Sequence, residues 1–257
     1  MKLFQINLLE ALTVCVSYVI GEVLRFMATG RQPGQFERVI QRGRYLFHIH
    51  TDWTDGKSTL ADYCIAAKEI GFQSIILLEH VRRECTYDFR AFLRMVEEQR
   101  SAHAMNILVG AEAKILPDGS LDISEAILSD IQVLGIAEHS FQGDASMLVH
   151  ALGRAFESYR SAEFARVWVH PGLRLLQWQP MSPQFFQEAM RLALEHELYV
   201  EINLRYNLPP EPFISFIPSS KAVVGVDAHS VDEVKRLGEI ILDRSYAVGR
   251  VFLSVPS

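Results

Sequence analysis

The strongest constraint on the fold of this chain is a regular alternation of short apolar runs with amphipathic stretches. Seven runs rich in β-branched residues recur, namely YLFHIH, SIILLEH, NILVGAE, IQVLGIAEH, VWVH, LYVEIN and VVGVDAH. Between most of them lie stretches with a helical spacing of apolar residues, such as STLADYCIAAKEIG and SPQFFQEAMRLALEHE. Strands that alternate with helices predict an α/β fold with a mostly parallel sheet, either open or closed into a barrel. Ser58 and Ser182 are predicted helix caps, and Pro183 fits a first helical turn.

The composition and charge of the chain fit one globular domain. Its 257 residues are 49% hydrophobic and 22% charged. The formal net charge of −6 argues against an extended nucleic-acid surface or a surface for anionic membranes, because both need clustered Lys and Arg. The three cysteines share no C-x-x-C spacing and resemble thiols of a reducing compartment, so we expect a cytoplasmic protein.

The N-terminal region is apolar but interrupted by charge. Residues 8–27 read LLEALTVCVSYVIGEVLRFM, and the uncharged part from Ala11 to Gly21 is too short to cross a bilayer. We therefore predict no transmembrane span and an amphipathic helix that packs on the domain or on a partner, with a cleaved or anchoring segment as the alternative. The Gly-rich, charged segment 30–44 is a predicted connector. Residues 1–43 are thus expected to form a helical extension and connector, and residues 44–257 the main domain.

Most of the apolar runs end in a histidine or an acid. Six of the nine histidines lie at these ends, joined by two acids: His48, His50, His80, His139, His170 and His229, with Glu112 and Asp227. The carboxyl ends of parallel strands meet on one face, so these side chains are expected to crowd together. One histidine at a strand end is more often a hydrogen-bonded core residue, but this repetition favours divalent cations, whose charge offsets the carboxylates. Residues i and i+2 of a strand share a face, which directs His48 and His50 the same way.

Ordered motifs between residues 44 and 240 resemble those of the PHP (polymerase and histidinol phosphatase) family of metal-dependent phosphoesterases. They are His48-x-His50-Thr51 with Asp55-Gly56, Leu78-Glu79-His80, Gly110-Ala111-Glu112, Glu138-His139-Ser140, His170-Pro171-Gly172, Glu201-Ile202-Asn203 and Val226-Asp227-Ala228-His229. One departure is Leu78-Glu79-His80, where the family usually has Thr-Asp-His. The resemblance implies a distorted (β/α)₇ barrel, similar to a TIM barrel, with the metal site at the C-terminal ends of the strands.

The same resemblance implies a trinuclear site for up to three Zn, Mn or Fe ions. When the family's ligand positions are carried over to this sequence, the first ion would be held by His48, His50, Glu112 and Asp227. The second is held by Glu112, His139 and His170, and the third by Asp55, His80 and His229.

The function implied is that of a metal-dependent phosphoric ester hydrolase, a phosphatase acting on a small phosphomonoester. The attacking group is hydroxide from a metal-activated water, with no catalytic side chain beyond it. Cationic side chains after the strand ends are candidates for gripping the phosphate, namely Arg82, Arg83, Arg174, Arg205 and Lys57.

Two alternatives remain open from the sequence. The first is a metal-dependent nuclease or exonuclease, although the acidic balance does not favour long nucleic-acid tracking. The second is a metal-stabilised scaffold that docks a partner through the N-terminal helix. The partners expected are a small phosphorylated substrate and, through residues 1–43, a second copy of the chain or another protein.

Overall fold

A computed structural model describes residues 34–161, 163–178 and 183–253, with the backbone alone over 245–253. The predicted N-terminal helix at residues 8–27 and the predicted cap at Ser182 lie outside these ranges. Within them, no helix combines the length and the apolar character that crossing a membrane requires.

Helices and strands alternate along the described chain, as the apolar pattern predicts. The strands are β1 (Tyr45–Ile49), β2 (Ser74–Leu77), β3 (Glu79–His80), β4 (Asn106–Leu108), β5 (Gly110–Lys114), β6 (Val133–Ala137), β7 (Ala165–Trp168), β8 (Tyr199–Asn203) and β9 (Ala222–Gly225). The α-helices are α1 (Gln35–Arg42), α2 (Leu60–Ile70), α3 (Phe89–His103), α4 (Glu125–Leu128), α5 (Ala145–Ser158), α6 (Pro183–Glu195), α7 (Glu211–Ile214) and α8 (Val231–Leu253). Two 3₁₀ turns cover Leu175–Gln177 and Ser219–Lys221.

Every pair of neighbouring strands among these elements is parallel. One sheet has the order β1-β2-β4 and the other the order β3-β5-β6-β7-β8-β9. Only Leu78 separates β2 from β3, and only Val109 separates β4 from β5, so the nine strands occupy seven successive positions. This confirms the predicted α/β fold with parallel strands.

Backbone hydrogen bonds also join the segment after β9 to β1. Val226 N donates to Phe47 O at 3.2 Å, Ala228 N to His48 O at 3.0 Å, and His50 N to Ala228 O at 2.9 Å. The last strand position therefore lies beside the first, as expected for a distorted (β/α)₇ barrel.

The buried apolar side chains form two clusters on the two faces of the strands. The inner cluster contains alternate strand residues, among them Tyr45 and Phe47 of β1 and Val133 of β6. The outer cluster contains Leu46 and most of the buried helix residues, so it lies between the strands and the surrounding helices. This alternation follows from the two-residue period of a strand.

Helix α1 lies within the segment predicted to be a connector. Its Phe36, Val39 and Ile40 are buried in the inner cluster. The Phe36 ring stands edge-on to Phe47 at 6.2 Å and to Tyr199 at 4.9 Å between ring centroids. Because α1 leads directly into β1, it closes the inner cluster at the amino ends of the strands. The structure differs from the prediction here, since the i, i+3, i+4 spacing of three apolar residues outweighs the glycines and charges around them.

The predicted caps have different outcomes. Thr59, and not Ser58, caps α2, because its hydroxyl accepts a hydrogen bond from Asp62 N. The Ser58 hydroxyl instead accepts from Val231 N at the start of α8, at 3.0 Å. Helix α6 does begin at Pro183, as predicted.

Candidate metal centre

The nine side chains singled out by the sequence lie together at the carboxyl ends of the strands, around Glu112. This residue belongs to β5, and its side chain is 1% exposed. Imidazole nitrogens from five histidines surround its two oxygens: His170 at 3.0 Å, His80 at 3.2 Å, His139 at 3.3 Å, His50 at 3.5 Å and His48 at 3.6 Å. A single buried carboxylate therefore faces imidazoles from four strand positions.

Two further carboxylates contact three of these imidazoles, and also that of His229, from other sides. Asp227 Oδ1 lies 3.2 Å from His50 Nε2 and 3.8 Å from His48 Nε2. Asp55, which is half-exposed, lies 3.3 Å from His80 Nε2 and 3.4 Å from His229 Nε2. The loop after β1 thus carries an acid to the mouth of the site.

Three groups of these residues bring nitrogen or oxygen atoms within 4.8 Å of one another, as a shared cation requires. They are His48, His50 and Asp227; His48, Glu112 and His170; and His50, Asp55, His80 and His229. His139 belongs to none of the three and is held near them through Glu112. The assignment of nine ligands to three ions stays a prediction.

A bulge in β1 aims the first histidine of the H-x-H pair. Phe47 pairs with Ile76 and Ile49 with Leu77, which leaves His48 as an extra residue without a partner on β2. Its φ of 66° lies in the left-handed region, which few non-glycine residues adopt. His48 and His50 do converge on the same carboxylates, but across a bulge and not along one face of a regular strand. His170 and Asp227 also have positive φ, at 31° and 48°.

A fully buried carboxylate, Glu201 of β8, orients two of the histidines. Its Oε1 lies 2.8 Å from His48 Nδ1, and its Oε2 accepts a hydrogen bond from His170 N at 2.5 Å. A carboxylate behind an imidazole fixes which nitrogen carries the proton and directs the other forward. The sequence contains this acid in a motif, but spacing alone assigned it no role.

Two other buried acids support the loops around the site. Glu79 accepts hydrogen bonds from the hydroxyls of Thr51 and Thr54 and from Thr51 N. Glu138 accepts from the backbone N–H groups of Arg174 and Leu175, at 3.0 and 3.2 Å. Burial raises the pKa of each of these two acids to about 7, although these hydrogen bonds oppose the shift.

The electrostatics of the centre keep its acids charged. Burial alone would raise the pKa of Glu112, but its hydrogen bond to His170 and the nearby His48 imidazole hold that pKa well below the usual range. The pKa of Asp227 is lowered in the same way, mainly by the charge of His48, against the effect of burial. Burial lowers the pKa of His139 to about 4, so this imidazole is neutral near pH 7. Charged carboxylates beside neutral imidazole are the donor set that Zn²⁺, Mn²⁺ and Fe²⁺ bind.

Unpaired nitrogen atoms test whether the residues fit a metal. In the described part of the chain, six buried imidazole nitrogens of the centre have no hydrogen-bond partner: His48 Nε2, both ring nitrogens of His50, His80 Nδ1, His139 Nδ1 and His170 Nδ1. Buried polar atoms are nearly always paired, so such a concentration needs an explanation. Coordination of divalent cations supplies one, and the residues therefore fit a metal site.

Two of the five predicted phosphate-gripping residues lie at the edge of this centre. Arg205 Nη1 donates to Asp227 O at 2.7 Å and lies 2.9 Å from His229 Nδ1. Arg82 lies two residues after His80, and its Nε is 3.6 Å from Asp122 Oδ2. Both side chains are partly exposed, at 34%.

The other three predicted residues are Arg83, Arg174 and Lys57, and their contacts differ from those of Arg205 and Arg82. Arg83 donates to Ser120 Oγ, and Arg174 donates to Gln177 Oε1 and stacks on Trp178. These contacts occupy both guanidinium groups away from the carboxylates of the centre. Lys57 is exposed, and its backbone N–H donates to His229 O.

Two residues near the centre were not predicted from the sequence. Lys114 ends β5 two positions after Glu112, a spacing that puts both on one face and could have identified it. Tyr206 is 41% exposed, and its ring stands edge-on to that of His170 at 6.1 Å. It lies in a loop, where sequence spacing carries no such signal.

Comparison with known proteins matches these observations. The family model of the PHP domain matches residues 47–204, more than half of the chain. The DNA polymerase/3'-5' exonuclease PolX of Bacillus subtilis is 22% identical over 196 residues, which are 72% of this chain and 34% of that protein. The chain thus spans about a third of the length of this curated relative.

Among solved structures, one neighbour shares the fold at low identity. Histidinol phosphate phosphatase from Lactococcus lactis, solved in complex with Zn, L-histidinol and phosphate, has a TM-score of 0.56 at 13% identity and covers 79% of this chain and 94% of its own. A Bacteroides vulgatus two-domain protein containing a predicted PHP-like metal-dependent phosphoesterase has a TM-score of 0.46 at 16% identity, over 76% of this chain and 55% of its own. With the family model matched across most of the strands that carry the histidine and carboxylate cluster, this chain belongs to the PHP domain family of metal-dependent phosphoesterases.

Proposed function

We propose that this protein hydrolyses a small phosphomonoester at the centre around Glu112. The observation that carries the proposal is the contact of one buried carboxylate with five imidazoles, several of whose nitrogens have no hydrogen-bond partner. The histidinol phosphate phosphatase that shares the fold acts on a compound of this class, which supports the proposal.

The proposed metal ligands are the nine residues predicted from the sequence. They would hold up to three divalent cations, with Zn²⁺, Mn²⁺ and Fe²⁺ as candidates: His48, His50, Asp55, His80, Glu112, His139, His170, Asp227 and His229. When bound, such ions lower the pKa of a water molecule and neutralise charge on a phosphoryl group.

The remaining chemistry belongs to residues of the chain. Glu201 holds His48 in the orientation that directs Nε2 to the centre. Arg205 and Arg82 offer guanidinium groups for the anionic groups of the substrate, which such side chains bind through paired N–H donors. Positioning and charge compensation of this kind account for most of phosphoryl-transfer catalysis, so no nucleophilic side chain is required.

Metal content and turnover on generic substrates test the proposal. The purified protein is analysed for bound metal and assayed with p-nitrophenyl phosphate, bis-p-nitrophenyl phosphate and single-stranded DNA in the presence of Mn²⁺. We expect bound metal and preferential turnover of the monoester. His48→Ala should abolish turnover without loss of the circular dichroism spectrum, whereas His150→Ala, at an exposed position on α5, should retain it. Absence of both metal and turnover would contradict the proposal.

An exonuclease is the second candidate, favoured by the match to PolX over 196 residues. The same assay separates the two, because an exonuclease releases nucleotides from the DNA substrate faster than it hydrolyses the aryl monoester.

A further inference from the structure

Lys114 lies on the same face of β5 as Glu112 and is the last residue of that strand. Alternate residues of a strand face the same side, so Gly110, Glu112 and Lys114 share the face directed at the centre. Two residues along a strand correspond to about 6.6 Å, which puts the Lys114 backbone further towards the mouth than that of Glu112. Across β6, Lys114 pairs with Ala137, whose side chain is only a methyl group and leaves room above the strand.

A second cation lies next to Lys114. His80 of β3 pairs with Glu112, and Arg82 follows two residues later, so Arg82 and Lys114 leave neighbouring strands at the same end. Asp122 connects them: its N–H donates to Lys114 O at 2.9 Å, and its Oδ2 lies 3.6 Å from Arg82 Nε.

The ammonium group of Lys114 is available to a ligand. Among the described residues it makes no hydrogen bond and no ion pair, and the nearby Asp122 carboxylate is engaged by Arg82 and by Arg83 N. The charges of Glu112 and Asp55 also act on Lys114, but both carboxylates belong to the proposed metal ligands, whose charge the cations would offset. Asp122 then remains as the carboxylate beside the side-chain cations Arg82 and Lys114. Arg205, by contrast, follows β8, which two strands, β6 and β7, separate from β5. The centre therefore has cationic side chains on two different sides.

We propose that Lys114, together with Arg82, binds a second anionic group of the substrate, a carboxylate or a phosphate on the alcohol that is released. This inference rests on the proposed phosphomonoesterase function and narrows its substrate class. The phosphoryl group lies over the carboxylates and imidazoles with Arg205 beside it, and the far end of the substrate meets Lys114 nearer the mouth. Phosphomonoesters with a neutral alcohol lack this contact and bind more weakly.

Two phosphonates that the enzyme cannot hydrolyse test the inference directly. 3-Phosphonopropionate and propylphosphonate share a three-carbon chain and a phosphonate, and only the first carries a carboxylate. Their affinities for the metal-loaded protein are measured by isothermal titration calorimetry. We expect the carboxylated probe to bind about tenfold more tightly, the size of one charge-assisted hydrogen bond.

Variants of Lys114 then test whether this residue causes the preference for the carboxylated probe. Lys114→Gln should bring the affinity ratio of the two probes close to one while changing propylphosphonate binding little, and Lys114→Arg should retain most of the ratio. Lys68→Gln, which removes an exposed lysine from the outer helix α2, is the control for net charge and should leave the ratio unchanged.

Two results would overturn the inference: equal affinity of the wild-type protein for both probes, or an equal loss of both affinities in Lys114→Gln. Turnover of p-nitrophenyl phosphate is measured on the same samples. Its absence would contradict the proposed function, whereas the affinity ratio tests Lys114 independently of turnover.

Discussion

Oε1 of Glu201 lies 2.8 Å from Nδ1 of His48, and neither side chain is exposed to solvent. The carboxylate accepts a hydrogen bond from Nδ1 and thereby directs Nε2 towards Glu112 and Asp227, where a cation would replace its proton. We expect Glu201→Gln to weaken metal binding by about 10- to 100-fold, the usual effect of losing such a partner. Competition with a chromophoric chelator measures this affinity. Glu188→Gln, on the exposed side of α6, should bind metal as the wild type does.

Gly225 makes room for that carboxylate. A Cβ at this position would lie 1.8 Å from Glu201 Oε1 and 2.7 Å from its Cδ. Gly225→Ala should therefore displace Glu201 and lower metal affinity about as much as Glu201→Gln, with about 1–3 kcal/mol lost from the free energy of unfolding. Chelator competition and urea unfolding measure the two effects.

Gly153→Ala is the matched control, because its added Cβ meets Leu192 only at 3.4 Å, an ordinary contact. Unchanged metal affinity in Gly225→Ala would show that Glu201 adjusts without consequence for the centre.

The pKa of His48 predicts how metal binding depends on pH. Burial would lower this pKa, but the charges of Glu201 and Asp227 hold it well above the usual value for histidine. Near pH 7 the metal-free protein therefore keeps a proton on His48, which a cation must displace. We expect affinity for Zn²⁺ to increase as the pH rises from about 6 to 8, with release of about one proton.

Calorimetric titration with Zn²⁺ in two buffers of different ionisation enthalpy counts the released protons. Glu201→Gln removes the leading charge that raises this pKa, so it should release fewer protons at the same pH. An affinity that does not change with pH would contradict the prediction.

Helix α1 should contribute strongly to stability. The Phe36 side chain is 2% exposed and packs against Phe47 and Tyr199. Phe36→Ala should lower the free energy of unfolding by about 3–5 kcal/mol, as for other buried phenylalanines. Phe216→Ala, at a position that is 57% exposed, should change it by less than about 0.5 kcal/mol. Urea unfolding compares the two, and similar effects would mean that α1 does not support the inner cluster.

The parts of the molecule that depend on local sequence could be predicted. The apolar runs indicate the parallel strands because burial on both faces requires continuous apolar residues. The polar residue that ends each run indicates the edge on which the site lies. The nine predicted ligand residues do come together, while their role as ligands stays a prediction.

The features missed depend on contacts between distant segments. The bulge at His48 exists only in relation to the register of β2, which no local pattern of β1 contains. Burial of Phe36 requires Tyr199, far along the chain, and the segment around α1 contains enough glycine and charge to resemble a connector. Lys114 was not predicted for a different reason. A lysine at the end of a strand usually faces solvent, so its position does not indicate a binding site.

The contact between Phe36 and Tyr199 also bears on how the chain folds during synthesis. The ribosome makes α1 before the strands of the barrel, yet the ring that completes its pocket belongs to β8, near the end of the barrel. A nascent chain that has not yet reached β8 therefore carries an exposed phenylalanine beside an incomplete interior, the kind of surface that chaperones bind. Truncated translation products of this protein should consequently be prone to aggregation, however well their first strands pair.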